Sequence, residues 1–145
     1  MAYAISVYIT NSIAPNDNYT VGGASTYFMR AEKDEKLVME KTSRYRDDTV
    51  KRNDLYIYGI RDALMLIRLK VSALDIFVDD KRIVLNAERM RQSDYINKNG
   101  KPMANAAAWE KLADRIMEIN PNACRFSYMS FEDMEKEARF DIAEN

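Results

Sequence analysis

Residues 2–9, Ala-Tyr-Ala-Ile-Ser-Val-Tyr-Ile, form an almost unbroken apolar run. A strand with one wet face alternates apolar and polar side chains, so a run without alternation, rich in Tyr, Val and Ile, is the pattern of a central strand covered on both faces. It is expected to be the spine of a sheet. Pro15-Asn16-Asp17-Asn18 is a turn cluster. After it, Ala24 to Glu32 and Leu37 to Thr42 read as strands joined by the polar hairpin Lys33-Asp34-Glu35, giving three consecutive antiparallel strands.

The period then changes. From Val50 to Arg68, Ile57, Ile60, Leu64 and Ile67 recur at three- and four-residue steps, the stripe of an amphipathic helix. Asp54 lies one step before Ile57 on the same stripe. Ser72 to Val78 reads as a buried strand and Lys81 to Gln92 as a helix. A polar connector, Ser93 to Pro102, leads to a helix over Ala106 to Ile119 that Asn120-Pro121 stops. Cys124 to Met129 is a candidate fifth strand. Ser130, with an acid three residues later, opens a last helix carrying Met134, Ala138 and Ile142 inward.

Composition narrows the chemistry. A chain of 145 residues that is 47% hydrophobic can bury one core, so residues 1–145 are expected to form a single domain. The formal charge of -1, from 22 Lys+Arg and 23 Asp+Glu, supplies no global positive field toward a nucleic-acid backbone. Binding there needs a local basic patch. The chain has no His, which excludes Ser/His, Cys/His and imidazole–metal chemistry. Val21-Gly22-Gly23-Ala24 lacks the spacing of a phosphate-cradling loop. Cys124 is the only cysteine, which excludes an intramolecular disulfide and fits a reducing compartment. No apolar stretch is long enough to span a bilayer, and Met1-Ala2-Tyr3-Ala4-Ile5 lacks the basic start of a secretion signal. The expectation is a cytoplasmic protein without a membrane partner.

Four short signatures follow one another in order: Arg52-Asn53-Asp54-Leu55 opening the long helix, Val78-Asp79-Asp80 ending a strand, Lys101-Pro102-Met103-Ala104-Asn105 running on to Trp109, and Glu137 to Ala143 around Asp141. In this order they resemble a ribonuclease H domain over essentially the whole chain. The resemblance implies an α/β fold with a five-stranded mixed sheet, three antiparallel strands then two parallel ones, flanked by helices. It implies that Trp109 packs in the core and that Asn105, Lys101, Asn11, Thr10 and Arg52 lie along a substrate groove. It also implies a site in which carboxylates hold two divalent ions, Mg²⁺ or Mn²⁺, roughly 4 Å apart for phosphoryl transfer. Asp54, Asp79 and Asp141 match three of the four acids as catalytic and metal-binding positions. Where the fourth, metal-bridging Asp belongs, at the end of the first strand, the chain reads Ile9-Thr10-Asn11. Asp54 also stands where the family usually has Glu, and the His loop before the last acid is absent.

Each acid has a plainer explanation: a helix-dipole partner for Asp54, a helix cap for Asp79 or Asp80, a surface charge for Asp141. Lys51, Arg52, Lys81, Arg82, Lys98 and Lys101 could touch phosphates, and Tyr95 could stack on a base, although an ordinary solvated surface looks the same. The reading is a ribonuclease H-like protein whose two-metal site is degraded, binding nucleic acid or a protein partner with weak or no hydrolysis. One alternative is an active Mg²⁺/Mn²⁺-dependent endoribonuclease cutting RNA/DNA hybrids. Another is a protein-interaction or inhibitor module that reuses the fold.

Overall fold

A computed structural model of the chain describes residues 2–12, 21–93 and 105–138. Along them run β1 (Tyr3–Ser12), β2 (Val21–Lys33), β3 (Lys36–Lys51), α1 (Arg52–Met65), β4 (Val71–Val78), α2 (Lys81–Ser93), α3 (Ala106–Ile119), β5 (Ala123–Tyr128) and α4 (Phe131–Glu137). The strands form one sheet in the order β3-β2-β1-β4-β5. β1, β2 and β3 pair antiparallel, and β4 and β5 continue the sheet parallel to β1. The apolar run of β1 therefore occupies the middle of the sheet, as expected.

Both faces of β1 are used, which is why its sequence does not alternate. Ile5, Val7 and Ile9 face a core built with Ile57, Ile60 and Leu64 of α1, Ile83 and Ala87 of α2, and Trp109 and Leu112 of α3. Tyr8 faces the other way, into a smaller cluster with Phe28 and with Met134 and Ala138 at α4. Trp109 is fully buried and meets Phe126 edge-on, ring centres 6.3 Å apart. Local signals set the helix ends: Ser130 accepts from the Asp133 N–H and caps α4, and Asn120 takes the left-handed conformation that ends α3. Ile142 lies outside the described residues.

The sequence places the end of β3 too early, at Thr42. The strand runs on to Lys51 because its backbone hydrogen-bonds β2 along its length, with Ser25 opposite Tyr45 and Gly23 opposite Asp47. Its side chains are mostly exposed, so no alternation marks it.

α1 lies unusually close to the sheet. A Cβ on Gly59 would fall 2.6 Å from Ser25 Cβ and 2.8 Å from Ile9 Cδ1, nearer than real Cβ atoms come. The fully buried Ser25 uses this approach to donate a hydrogen bond to the Leu55 carbonyl at 2.7 Å. At the other end of α1, Arg115 donates to the Leu64 and Ile67 carbonyls at 3.1 and 3.0 Å, tying α3 to the C-terminal end of the helix and the turn that follows it. Gly59→Ala is expected to lower stability by about 1 to 3 kcal/mol, the cost of overpacking, despite roughly 1 kcal/mol gained in helix propensity. Urea unfolding checks this; a stabilised variant would show that α1 does not press on Ser25.

Candidate functional site

The site is assembled where β1 and β4 end beside the first turn of α1. Asp79 follows the last residue of β4, and its carboxylate is gripped from two sides. The Thr10 hydroxyl at the end of β1 donates to Oδ2 at 2.6 Å, and the Tyr56 hydroxyl of α1 donates to Oδ1 at 2.6 Å. Tyr56 is itself buried, and the Asn11 backbone N–H donates to its oxygen. Burial first, then the bond to Asp79, raises the Tyr56 phenol far above its ordinary range. It therefore remains a donor at any pH near neutrality. Both carboxylate oxygens are thus met by neutral O–H groups, a satisfied arrangement for a half-buried acid.

Asp80, not Asp79, caps α2: its Oδ1 accepts the Arg82 N–H at 2.8 Å and its carboxylate lies 3.6 Å from the Arg82 guanidinium. One acid serves the helix, which leaves the other to the strand ends.

Asp54 sits in the first turn of α1, half-buried. Burial raises its pKa, while the Lys51 charge and a hydrogen bond from the Asn105 side chain pull the other way. Asn105 stands at the N-cap of α3, so the structure brings one of the predicted groove residues against one of the predicted acids. Asn11 reaches the same corner, where its amide is hydrogen-bonded with Ser25. Ser25 in turn holds the Leu55 carbonyl, beside Asp54. Arg52 opens α1, but its side chain, together with Lys101, Asp141, Lys98 and Tyr95, lies outside the described residues. Lys51 and Lys81 are exposed at the ends of β3 and the start of α2.

A two-metal centre asks for several anionic oxygens facing the same ions. At position 10 the donor is a neutral hydroxyl, turned toward Asp79 rather than toward a cation. Among the described residues, no three His, Cys, Asp or Glu are gathered to hold a metal. Asp54 and Asp79 are the two predicted acids among the described residues, and Asp141 lies outside them. Tyr56 is the site residue that sequence reasoning missed. It lies on a helix whose apolar stripe explains it as core, and nothing local shows that its hydroxyl ends on Asp79.

The sheet order, the parallel return through α1 and the small helix on the far face decide the architecture. The fold is that of ribonuclease H. A superposition on LC9 ribonuclease H1, a type 1 enzyme with the type 2 active-site motif, gives a TM-score of 0.67 at 13% identity, covering 90% of this chain and 64% of that one. This chain thus spans less than two thirds of that protein. The N-terminal ribonuclease H domain of a Mycobacterium tuberculosis protein superposes with a TM-score of 0.54 at 11% identity, over 95% of this chain and 99% of the other. The foamy viral protease-reverse transcriptase in complex with RNA/DNA hybrid gives 0.58 at 12% identity, over 94% of this chain and 18% of that one. No family model and no curated protein matches the sequence. Among the described residues no helix is long and apolar enough to cross a membrane.

Asp54 makes a pH prediction. With its folded pKa raised above the unfolded value, the folded state holds more protons between the two values, so Asp54 favours folding below that window and this contribution is lost as pH rises through it. Asp54→Asn is expected to stabilise the protein at pH 7 and to flatten that part of the acid-range profile. Urea midpoints measured across the carboxylate range check it; an unchanged profile would mean that burial does not perturb Asp54.

Proposed function

We propose that the 145 residues act as one ribonuclease H-like domain that binds nucleic acid of the RNA/DNA-hybrid type at the β1/β4 strand ends and cuts it weakly or not at all. The observation that carries this reading is the grip of Thr10 and Tyr56 on both oxygens of Asp79. A hydroxyl in place of a bridging carboxylate removes one negative charge from a centre meant to balance two dications, and Asp79 gives one lone pair of each oxygen to a protein hydroxyl. Asp79 then works as a hydrogen-bond acceptor joining β1, β4 and α1. Asp54, Asp79 and Asp141 are the carboxylates of this remnant, with Thr10, Asn11, Arg52, Lys101 and Asn105 along the groove. If a cation is held at all, Asp54, Asp79 and Asp141 are its ligands and Mg²⁺ or Mn²⁺ its identity. Support for nucleic acid comes from the fold and from the exposed Lys51 at this end of the sheet.

Two measurements test the reading together. A labelled RNA/DNA hybrid titrated at low salt is expected to bind weakly, with affinity falling as salt rises, because few cations contact phosphates and the net charge gives no help. With Mg²⁺ or Mn²⁺ the bound hybrid is expected to stay intact. Efficient cutting would overturn the degraded site, and absence of binding would shift the function to protein contacts. In metal-free buffer, Asp79→Ala is expected to cost about 1 to 3 kcal/mol by leaving two hydroxyls without their acceptor. A metal centre predicts the reverse, since removing one of several mutually repelling acids relieves the empty site.

A further inference from the structure

The sheet ends differently on its two sides. Eight of the sixteen residues of β3 are charged, the usual guard against edge-to-edge pairing. β5 carries one charge, Arg125, and no proline. No described strand pairs with its outer side. Beside it, α2 leaves a groove of two adjoining cavities of about 240 and 210 Å³. The first is lined by Lys81, Val84, Leu85 and Tyr128, the second by Ala87, Cys124, Arg125 and Phe126, and Glu88 borders both. Leu85 and Tyr128 are large apolar residues left 49% and 45% exposed on its walls.

The backbone of β5 sets what can be added to it. The Met129 N–H donates to the Val78 carbonyl at 3.0 Å, so by alternation Ser127 and Arg125 turn their backbone groups to β4, and Phe126 and Tyr128 turn theirs outward. Phe126 also points its side chain into the core shared with α2. We propose that this edge is the contact between two copies of the chain, joined by antiparallel pairing of β5 with β5 about a two-fold axis at Phe126. The occupant is chosen by charge. In an antiparallel pair directly opposed residues share a face. An axis at Phe126 sets Phe126 against its counterpart and Tyr128 opposite Cys124 of the second copy. An axis at Arg125 instead sets two guanidinium groups face to face, which is destabilising.

The same axis matches the helices. Lys81 stands at the Tyr128 end of the groove, its Nζ 5.0 Å from the ring centre, and Glu88, further along α2, borders both cavities and reaches the one that Cys124 lines. Because the strands run opposite ways, Lys81 of each copy is carried toward Glu88 of the other. Both are exposed, and neither has an ion-pair partner among the described residues. The result is an isologous interface, with two ion pairs, two copies of Leu85 and a sheet continuous across both subunits. It is independent of whether the domain binds nucleic acid.

Sedimentation velocity of the whole chain over a concentration series tests it. A reversible monomer–dimer equilibrium is expected. Lys81→Glu or Glu88→Lys alone puts like charges together twice and is expected to weaken the dimer roughly tenfold. The double swap, Lys81→Glu with Glu88→Lys, is expected to restore it, and the exposed-site variant Leu85→Glu to abolish it, all with unchanged circular dichroism. A monomer at every concentration overturns the proposal. A dimer indifferent to Leu85→Glu and to the single swaps overturns the assigned surface, and a double swap that fails to recover overturns the register.

Discussion

The contact between Gly59 and Ser25 is the constraint on which the site depends. Because Gly59 has no side chain, α1 settles against β1 and β2 closely enough for Ser25 to hold the Leu55 carbonyl. That bond fixes the first turn of α1 over the end of β1. It places Tyr56 over the β4 terminus and Asp54 beside Asn105. A helix lifted by one methyl group would carry the Tyr56 hydroxyl away from an acceptor 2.6 Å distant, since hydrogen bonds weaken steeply with distance and angle.

Asp79 and Asp80 show how neighbouring identical side chains diverge. Asp80 meets the free N–H groups at the start of α2 and is drawn into capping. Asp79, on the opposite side of the chain, meets the strand ends and their hydroxyls. A half-buried carboxylate needs compensation from cations or from hydrogen-bond donors. In this protein donors from two elements, β1 and α1, provide it, so the corner of the fold is closed by hydrogen bonds that tie both to the end of β4.

Much of the molecule is legible from its residues. The unalternating β1 run, the helical stripe from Ile57 to Ile67, the Ser130 cap and the Asn120 stop each reflect physics acting within a few residues, and each element stands where its pattern places it. The far half of β3 escapes notice for the opposite reason. It is held by its backbone ladder to β2 and by the Tyr45–Tyr58 ring contact with α1, and an edge strand with no fully buried side chain leaves no hydrophobic period to read.

The sequence by itself determined the order and type of the elements, the stripe of core residues, the absence of imidazole chemistry and the Thr at position 10. Periodicity, capping and composition are local, so they survive without coordinates. Only the tertiary structure decided that Thr10 and Tyr56 close on the two oxygens of Asp79, that Asp80 rather than Asp79 caps a helix, and that Gly59 serves a close approach to Ser25. Thr10 and Asp79 are 69 residues apart in the chain, and Tyr56 and Asp79 are 23 apart. Their meeting is set by strand register and helix docking, which depend on the whole packed core and leave no mark on the residues near any one of them.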